Sequence, residues 1–420
     1  MQDVIHHMGR RCRNWDYGAR AIYMITVSLK ERGRPALAEW PEFLGVSAKA
    51  QNLTVAGQDL RQPGDGPVGA SPETAKIVSM PLTLLGEKVL ACWRRIPEFW
   101  PMVELLECQV MPDHFHGLVF VKEPLRPAGK PCACPETGKV LGDVIRGFKT
   151  GCREVGWEDG YVDNILFREG QLKRMAEYIR DNPRRLAETR ANPALFRRVV
   201  DLVVDLPVSG QAQNPNGLCA SAETPKFTAN FQAIGNTGLL QWPVMLPVQC
   251  SRKDFAYRRE RLATGGWKIL RSAAGVPLVE YASPAFEEKC EDALDCARKG
   301  AVLVSPCISH GEREIARRAH IAGARVIAIR NKGFAPFEKP NGALFDQCAK
   351  GNLLLLAPAA WPYIPGEKPP TRESSLVLNR IAQLIAGDDD AEIKYNGVVF
   401  GDIDAKVVEA LQPPQEGDAA

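Results

Sequence analysis

The sequence predicts two domains of different class: an α+β N-terminal half, with an antiparallel sheet and helices on its faces, and an α/β C-terminal half. Three observations carry this. Before about residue 205, a strand rich in β-branched and aromatic residues (RAIYMITVSLK) and a strand pair around a turn at MPDH alternate with helical segments. Beyond about residue 230, AVLVSP, the helix GEREIARRAHIAG and RVIAIR form a strand–helix–strand unit, and GNLLLLAP is a fully apolar, parallel-type strand. That is doubly wound α/β grammar. Between them, residues 206–229 (LPVSGQAQNPNGLCASAETPKFTA) are poor in large apolar side chains and rich in turn formers, as a linker is. The expected division is 1–205, a linker at 206–229, 230–405, and a disordered tail at 406–420.

Within the first half, residues 20–30 predict a strand, and the polar, Gly/Pro/Ser-rich stretch from about 47 to 75 predicts a loop or insertion. A helix follows over SMPLTLLGEKVLACWRRI, then the strand pair. Residues 139–155 show helical spacing of Leu141, Val144, Ile145 and Phe148. Residues 169–182 predict another helix that buries Leu172, Met175, Ala176 and Ile179. Pro183 disfavours helical geometry at Asn182, so this helix is expected to end there.

The chain of 420 residues is 45% hydrophobic and 25% charged, which is ordinary for a globular protein. No apolar run reaches the ~18 residues that span a bilayer, and the first residues lack a secretion signal. Twelve scattered cysteines then read as free thiols in a reducing cytoplasm. Cys132 and Cys134 have no second ligand pair at zinc spacing. The net charge of +3 does not announce a nucleic-acid partner, but its placement says more. Residues 1–205 hold 29 Lys and Arg against 26 Asp and Glu, while the remainder balances at 24 each. The excess is densest around Arg168 to Arg198. Such a run is commonly a solvated helix face.

Two of the six histidines, His114 and His116, occur as HFH in a strand. Alternate strand residues share a face, so both imidazoles point one way and Phe115 the other. Two such rings can converge on one divalent cation, although HxH alone equally describes two polar positions on an open sheet face. On the helix of RMAEYIRDNPRRL, Tyr178 and Asn182 lie four residues apart and share a face. That spacing sets an amide oxygen beside a phenol. Tyr161 and Tyr17 are the competing phenols, and neither has an amide four residues on along a helix. By ligand softness, two imidazoles and an amide suit zinc or manganese.

Together the segments YMITVSLKERGRP, ECQVMPDHFHGLVFV, LGDVIRGFKTG and GYVDNILFREGQLKRMAEYIRDNPRRL resemble the REP-associated tyrosine transposases, of the single-tyrosine HUH transposase family. The resemblance covers roughly residues 15–190. Asp113 stands where the family more usually has Asn, and the insertion at 47–75 is long for it. The resemblance implies an HUH fold and a Mg²⁺- or Mn²⁺-dependent transposase or endonuclease that acts on single-stranded DNA at hairpin repeats. His114, His116 and Asn182 would hold the metal, and Tyr178 would attack the phosphate to give a 5′-phosphotyrosine link. Arg146, Lys149, Arg174, Arg180, Arg184 and Arg185 are the candidate DNA contacts. Monomer and homodimer are both compatible with the motif. The rival reading is a catalytically silent, domesticated protein that binds hairpin DNA. A replication initiator is disfavoured because no GxxxxGK[ST] follows.

In the second half, IGNTGLLQWPVMLPVQCSR, AVLVSPCISHGEREIARRAHIAGARVIAIRNKG and GALFDQCAKGNLLLLAPAAWPY resemble the Rossmann-like domain of the DNA-processing protein A (Smf) family. The loop SPCISHGER sets backbone N–H groups where an anion could sit, lined by Ser305, Ser309, Gly311 and Arg313. The family's more glycine-rich loop is not reproduced. His310 and His320 read as a loop residue and a helix-surface residue.

Overall fold

A computed structural model describes Trp15, Tyr17 and residues 19–46, 76–123, 139–167, 170–207, 226–261, 267–272, 275–364, 370–387, 394–395, 398–399 and 403–412. The expected insertion at 47–75 and the Cys132–Cys134 pair lie outside these residues. The chain divides into two compact units, Met1–Ala191 and Asn192–Ala420.

The first unit is built on a four-stranded antiparallel sheet. Strands β1 (Ala21–Ser28), β4 (Val103–Val110), β5 (His114–Val121) and β6 (Val162–Ile165) lie in the order β4-β5-β1-β6. A short ribbon of β2 (Glu42–Val46) and β3 (Lys76–Ser79) stands beside it. Helices α1 (Leu84–Arg94) and α2 (Lys139–Gly151) cover one sheet face. Thr83 caps α1 by accepting from the Gly86 N–H. Trp93 of α1 and Phe148 of α2 close on Phe115, with ring centroids 4.6 and 5.4 Å away. The glycine of HFHG belongs to this packing. A Cβ at Gly117 would stand 2.2 Å from the Trp93 ring, so the indole seats directly on the β5 backbone.

The other face carries Met24 and Leu118, which pack against Ala176 and Ile179 of α3 (Gln171–Ala191). The expected stop before Pro183 is corrected here, because α3 runs on through Pro183 to Ala191. An internal proline removes one hydrogen bond and crowds the preceding turn, a cost of ~3 kcal/mol. The continuation gains burial for Pro183 and Ala187, and Leu186 packs on the cluster of Ala38, Met80 and Met111. Leu172, expected inside, is exposed at the start of the helix.

The second unit holds a six-stranded mixed sheet in the order β7-β8-β16-β15-β14-β9. Its strands are β7 (Val199–Pro207), β8 (Lys226–Gly235), β9 (Met245–Pro247), β14 (Val302–Ser305), β15 (Val326–Ile329) and β16 (Leu353–Pro358). Four short strands, β10 (Phe255–Tyr257), β11 (Arg259–Arg261), β12 (Trp267–Ile269) and β13 (Val279–Ala282), form two antiparallel pairs, β10–β13 and β11–β12. The expected parallel strands are present, since β9, β14, β15 and β16 run parallel. The doubly wound expectation is corrected. The connecting helices α4 (Pro284–Arg298), α5 (His310–Ile321) and α6 (Ala343–Ala349) all pack on one face, with Leu303, Val326 and Leu355. The other face is covered by α7 (Arg372–Ala386) and α8 (Ile403–Leu411), with Val302, Ile327 and Leu354. Because the parallel strands follow one another in chain order, their sequence never reverses.

The unit boundary also moves. β7 and β8 pair antiparallel, and β8 pairs with β16, so residues 199–207 and 226–229 belong to the second unit's sheet, and that unit begins at Asn192. Residues 208–225 of the expected linker lie outside the described residues. The expected tail begins too early, because Val407, Ala410 and Leu411 of α8 are buried. Among the described residues no helix is long and apolar enough to cross a membrane.

Candidate functional site

The strand periodicity of β5 sets His114 and His116 on the α3 face of the sheet and Phe115 in the opposite core. The two Nε2 atoms face each other at 3.1 Å. Each Nδ1 is held from behind. The His114 Nδ1 lies 2.7 Å from the Asp113 carboxylate, whose other oxygen accepts from the Gly33 N–H at 2.9 Å. The His116 Nδ1 lies 2.8 Å from the Thr26 hydroxyl, directly across in the β1–β5 register. When both Nδ1 atoms carry the proton, two Nε2 lone pairs meet. That arrangement is repulsive until a positive species accepts both.

Burial, followed by the neighbouring His114, pushes the His116 imidazole down to about 3. The hydrogen bond from His114 is the main cause that holds the Asp113 carboxyl at about 2. The site therefore pairs a neutral, dry imidazole with an ionised carboxylate one residue upstream of its partner.

α3 brings the phenol. The Tyr178 ring centroid lies 5.9 Å from that of His116, and Tyr178 remains 36% exposed, open to a substrate. The Arg185 guanidinium carbon lies 5.7 Å from the Tyr178 ring centroid. One turn on, Asn182 holds a buried Nδ2 without a hydrogen-bond partner. Amide nitrogen and oxygen exchange by a flip, so this position can equally offer an oxygen. Two imidazoles with a side-chain amide fit a divalent cation: ligands ~2.1 Å from an octahedral ion in adjacent positions are ~3 Å apart. Among the described residues no three His, Cys, Asp or Glu side chains cluster to hold a metal, so a further donor here would be of another kind, such as an amide. Tyr17 is buried, and Tyr161 packs against the same α1–α2 core, which removes both from the α3 face.

Two neighbours escaped the sequence reading. Thr26 and Gln109 are the cross-strand partners of His116 on β1 and β4, and Gln109 is 4% exposed with its Nε2 donating to the Val110 carbonyl. Only the register reveals them, since nothing in sequence spacing ties residue 26 or 109 to residue 116.

The expected DNA contacts separate. Arg174 is exposed on α3. Arg180 pairs with Glu107 at 2.5 Å, and Arg184 and Arg185 both bond Asp181. Arg146 is exposed beside Asp143, on α2. Lys149 donates to the carbonyls of Glu158 and Gly160 at 2.6 and 2.9 Å, so it ties down a loop.

The expected anion loop of the second unit is corrected. Its donors close on Glu312, which is 3% exposed. The Glu312 carboxylate accepts from the N–H groups of Ile308, Ser309 and Cys250, while Ser309 caps α5 by accepting from the Glu312 N–H. Ser305 accepts from the Cys307 N–H, and Arg313 donates to the Cys307 carbonyl. A Cβ at Gly311 would stand 2.3 Å from the Cys250 sulfur, so the first turn of α5 packs directly on Cys250. The motif Ser309-x-x-Glu312 is a capping box, a signal legible in the sequence. His310 accepts from the Tyr257 N–H through Nδ1, and burial depresses His320 to about 4.

No family model matches the chain. An uncharacterized protein of Haemophilus influenzae is 31% identical over 124 aligned residues, which take in 25% of this chain and 67% of the relative. The chain belongs to the family of that protein. Among solved structures, a REP-associated tyrosine transposase bound to a REP hairpin is a distant match at 13% identity and a TM-score of 0.22. The match covers 39% of this chain and 66% of that one, just under two thirds of its length.

Proposed function

We propose that the first unit cuts and rejoins single-stranded DNA beside hairpins, with Tyr178 as the nucleophile and a Mg²⁺ or Mn²⁺ ion held by His114, His116 and Asn182. The observation that carries this reading is the meeting of the two Nε2 atoms at 3.1 Å, next to an exposed phenol. The four-residue step from Tyr178 to Asn182 and the 5.9 Å between the Tyr178 and His116 rings support the same reading.

In this reading Tyr178 Oη attacks phosphorus in line, the Oη–P bond forms, and the bond from phosphorus to the 3′ oxygen breaks. The phenol proton passes to solvent, and the leaving 3′ oxygen takes one up. The DNA 5′ end remains on the enzyme and a free 3′-OH remains on the other strand, so the reverse attack rejoins strands. When bound, the cation would withdraw charge from a non-bridging phosphate oxygen. With the Nδ1 protons directed at Asp113 and Thr26, both Nε2 lone pairs are free for the cation. Arg185, over the Tyr178 ring, offers a guanidinium to the arriving phosphate.

Tyr178→Phe removes one oxygen from a nearly isosteric ring. With end-labelled hairpin DNA and Mg²⁺ or Mn²⁺, wild type is expected to give a labelled protein band on a denaturing gel. The variant should still shift the DNA on a native gel yet give no such band. An adduct formed by Tyr178→Phe would assign the chemistry to another residue, and no adduct with wild type would leave a hairpin binder.

A further inference from the structure

The six-stranded sheet of the second unit ends at β9, and α4 and α7, which cover its opposite faces, leave a cleft of about 430 Å³ along that edge. Small-molecule sites commonly enclose ~300–1,000 Å³. Leu246, Val248, Ala285 and Ala293 give the cleft apolar walls. Its polar lining consists almost entirely of acceptors. Glu288 and Asp292 stand one turn apart on α4, hence on one side of the helix, and among the described residues neither is paired with a cation. Lys289 donates to the Gln249 carbonyl at 3.0 Å, and Pro247 brings a carbonyl but no N–H. From α7, Gln383 lines the cleft, 6% exposed, and its Oε1 is buried without a hydrogen-bond partner. One turn earlier, the Asn379 carbonyl accepts from the Gln249 Nε2 at 3.2 Å, and the Asn379 Oδ1 is likewise buried and unpartnered. A buried acceptor costs stability until a donor reaches it. An amide can turn either end inward, but beside two carboxylates, which only accept when ionised, the oxygen end completes a site for donors.

We propose that this cleft binds an aliphatic polyamine through Glu288, Asp292 and Gln383. A primary ammonium offers three donors and no acceptor, which is the complement of this lining. Two ammoniums on one methylene chain suit two carboxylates at this helical spacing, where the Cβ atoms are ~5–6 Å apart. The methylenes then lie against Leu246, Val248 and Ala293, and the Gln383 oxygen takes a donor from one ammonium. A bare Mg²⁺ ion fits less well, because it keeps several waters, demands octahedral geometry and gains nothing from apolar walls. The cleft lies wholly within the second unit and uses none of the groups closed on Glu312. It stands independently of the Tyr178 reading.

The test titrates putrescine, the diamine of butane, into the full chain by calorimetry at low ionic strength, without DNA. n-Butylamine, which carries a single ammonium, and Mg²⁺ serve as comparisons. Putrescine should bind at one site per chain, and butylamine at least about tenfold more weakly, as expected when one charge-assisted hydrogen bond is lost. Glu288→Gln and Asp292→Asn together should weaken putrescine at least about tenfold. Both side chains are exposed, so the melting temperature without ligand should stay at the wild-type value. Gln383→Leu removes the unpaired acceptor at similar size. Its melting temperature without ligand should equal or exceed that of wild type, while its putrescine affinity falls about threefold to tenfold. No binding by wild type at millimolar putrescine, or a double variant within twofold of wild type, overturns the proposal. Mg²⁺ binding that is tighter than putrescine binding and is lost in the same double variant would mark a divalent-cation site and overturn the polyamine assignment.

Discussion

The polar cluster around His114 and the polar cluster around Glu312 use similar parts and end in opposite states. In the first, Asp113 and Thr26 each hold one side of an imidazole, and the other sides are left facing each other. The Asn182 amide, one turn beyond Tyr178 on α3, has a buried nitrogen without a partner. In the second, the N–H groups of Cys250, Ile308 and Ser309 are taken by a carboxylate of the chain itself. Buried polar groups cost stability unless they are paired, and here two imidazoles share one Nε2–Nε2 contact while the Asn182 nitrogen has no partner, so this cluster keeps hydrogen-bonding capacity open. The comparison teaches that a motif's donors matter less than whether the fold has already satisfied them.

The largest effect that would break this contrast is expected at His116. His116→Ala removes one of the two facing nitrogens, and hairpin cleavage should fall by about a hundredfold or more if these nitrogens hold the proposed cation. Raised Mn²⁺ should restore part of the rate, because occupancy follows free metal. Wild-type cleavage by His116→Ala in the presence of a chelator would show that the facing imidazoles do something else. A smaller effect is expected at Thr26. Thr26→Val keeps the shape and removes the hydroxyl on Nδ1, and losses of this kind weaken metal affinity by about 10–100-fold. Titration of Mn²⁺ followed by its electron paramagnetic resonance signal checks this without any DNA. Thr26→Ser should lie close to wild type, and equal affinities for the Val and Ser variants would confine Thr26 to packing.

Much of the first site was legible in the sequence because it rests on local periodicity. The alternation of His114, Phe115 and His116 and the four-residue step from Tyr178 to Asn182 follow from strand and helix geometry alone. What depends on partners distant in the chain was not legible. Thr26 and Gln109 meet His116 through register, which sequence spacing does not encode. The passage of α3 through Pro183 was misread because the local cost of proline is visible, while the burial of Leu186 against Ala38, Met80 and Met111 is not. The unit boundary was missed for a related reason, since β7 and β8 find each other across a stretch whose composition reads as a linker. The Glu312 closure was a different failure. Its capping-box spacing is local, but the same residues also fit an anion cradle until the Glu312 carboxylate is placed on the loop's N–H groups.

The closed cluster can be opened. Glu312→Ala leaves the N–H groups of Cys250, Ile308 and Ser309 without their acceptor, and should destabilise the second unit by about 2 kcal/mol. Millimolar sulfate should then raise the melting temperature of the variant more than that of wild type, because the anion replaces the lost carboxylate. Equal sulfate responses would mean that the loop rearranges and that Glu312 was not filling an anion-shaped niche.

The smallest effect is a pH slope, and it tests the burial of Glu312 directly. Burial is the main influence on this carboxyl and raises it above the ordinary carboxylate range, although hydrogen bonds from Ile308, Cys250 and Ser309 pull the other way. Between the ordinary value and the raised one, the folded chain binds more protons at this position than the unfolded chain. Stability from this group is therefore complete at low pH and declines as pH rises through the folded value. Glu312→Gln carries no titrating proton, so the decline is missing in the variant. The amide also replaces one acceptor oxygen with a donor, but that penalty is the same at every pH and leaves the slope untouched. Denaturant unfolding of both proteins at pH 4 and pH 7 isolates the effect, since all other titrating groups cancel in the difference. The difference should move in favour of Glu312→Gln as pH rises. A difference that stays flat, or moves toward wild type, would mean that the three N–H groups outweigh burial and that Glu312 is held as a comfortable anion.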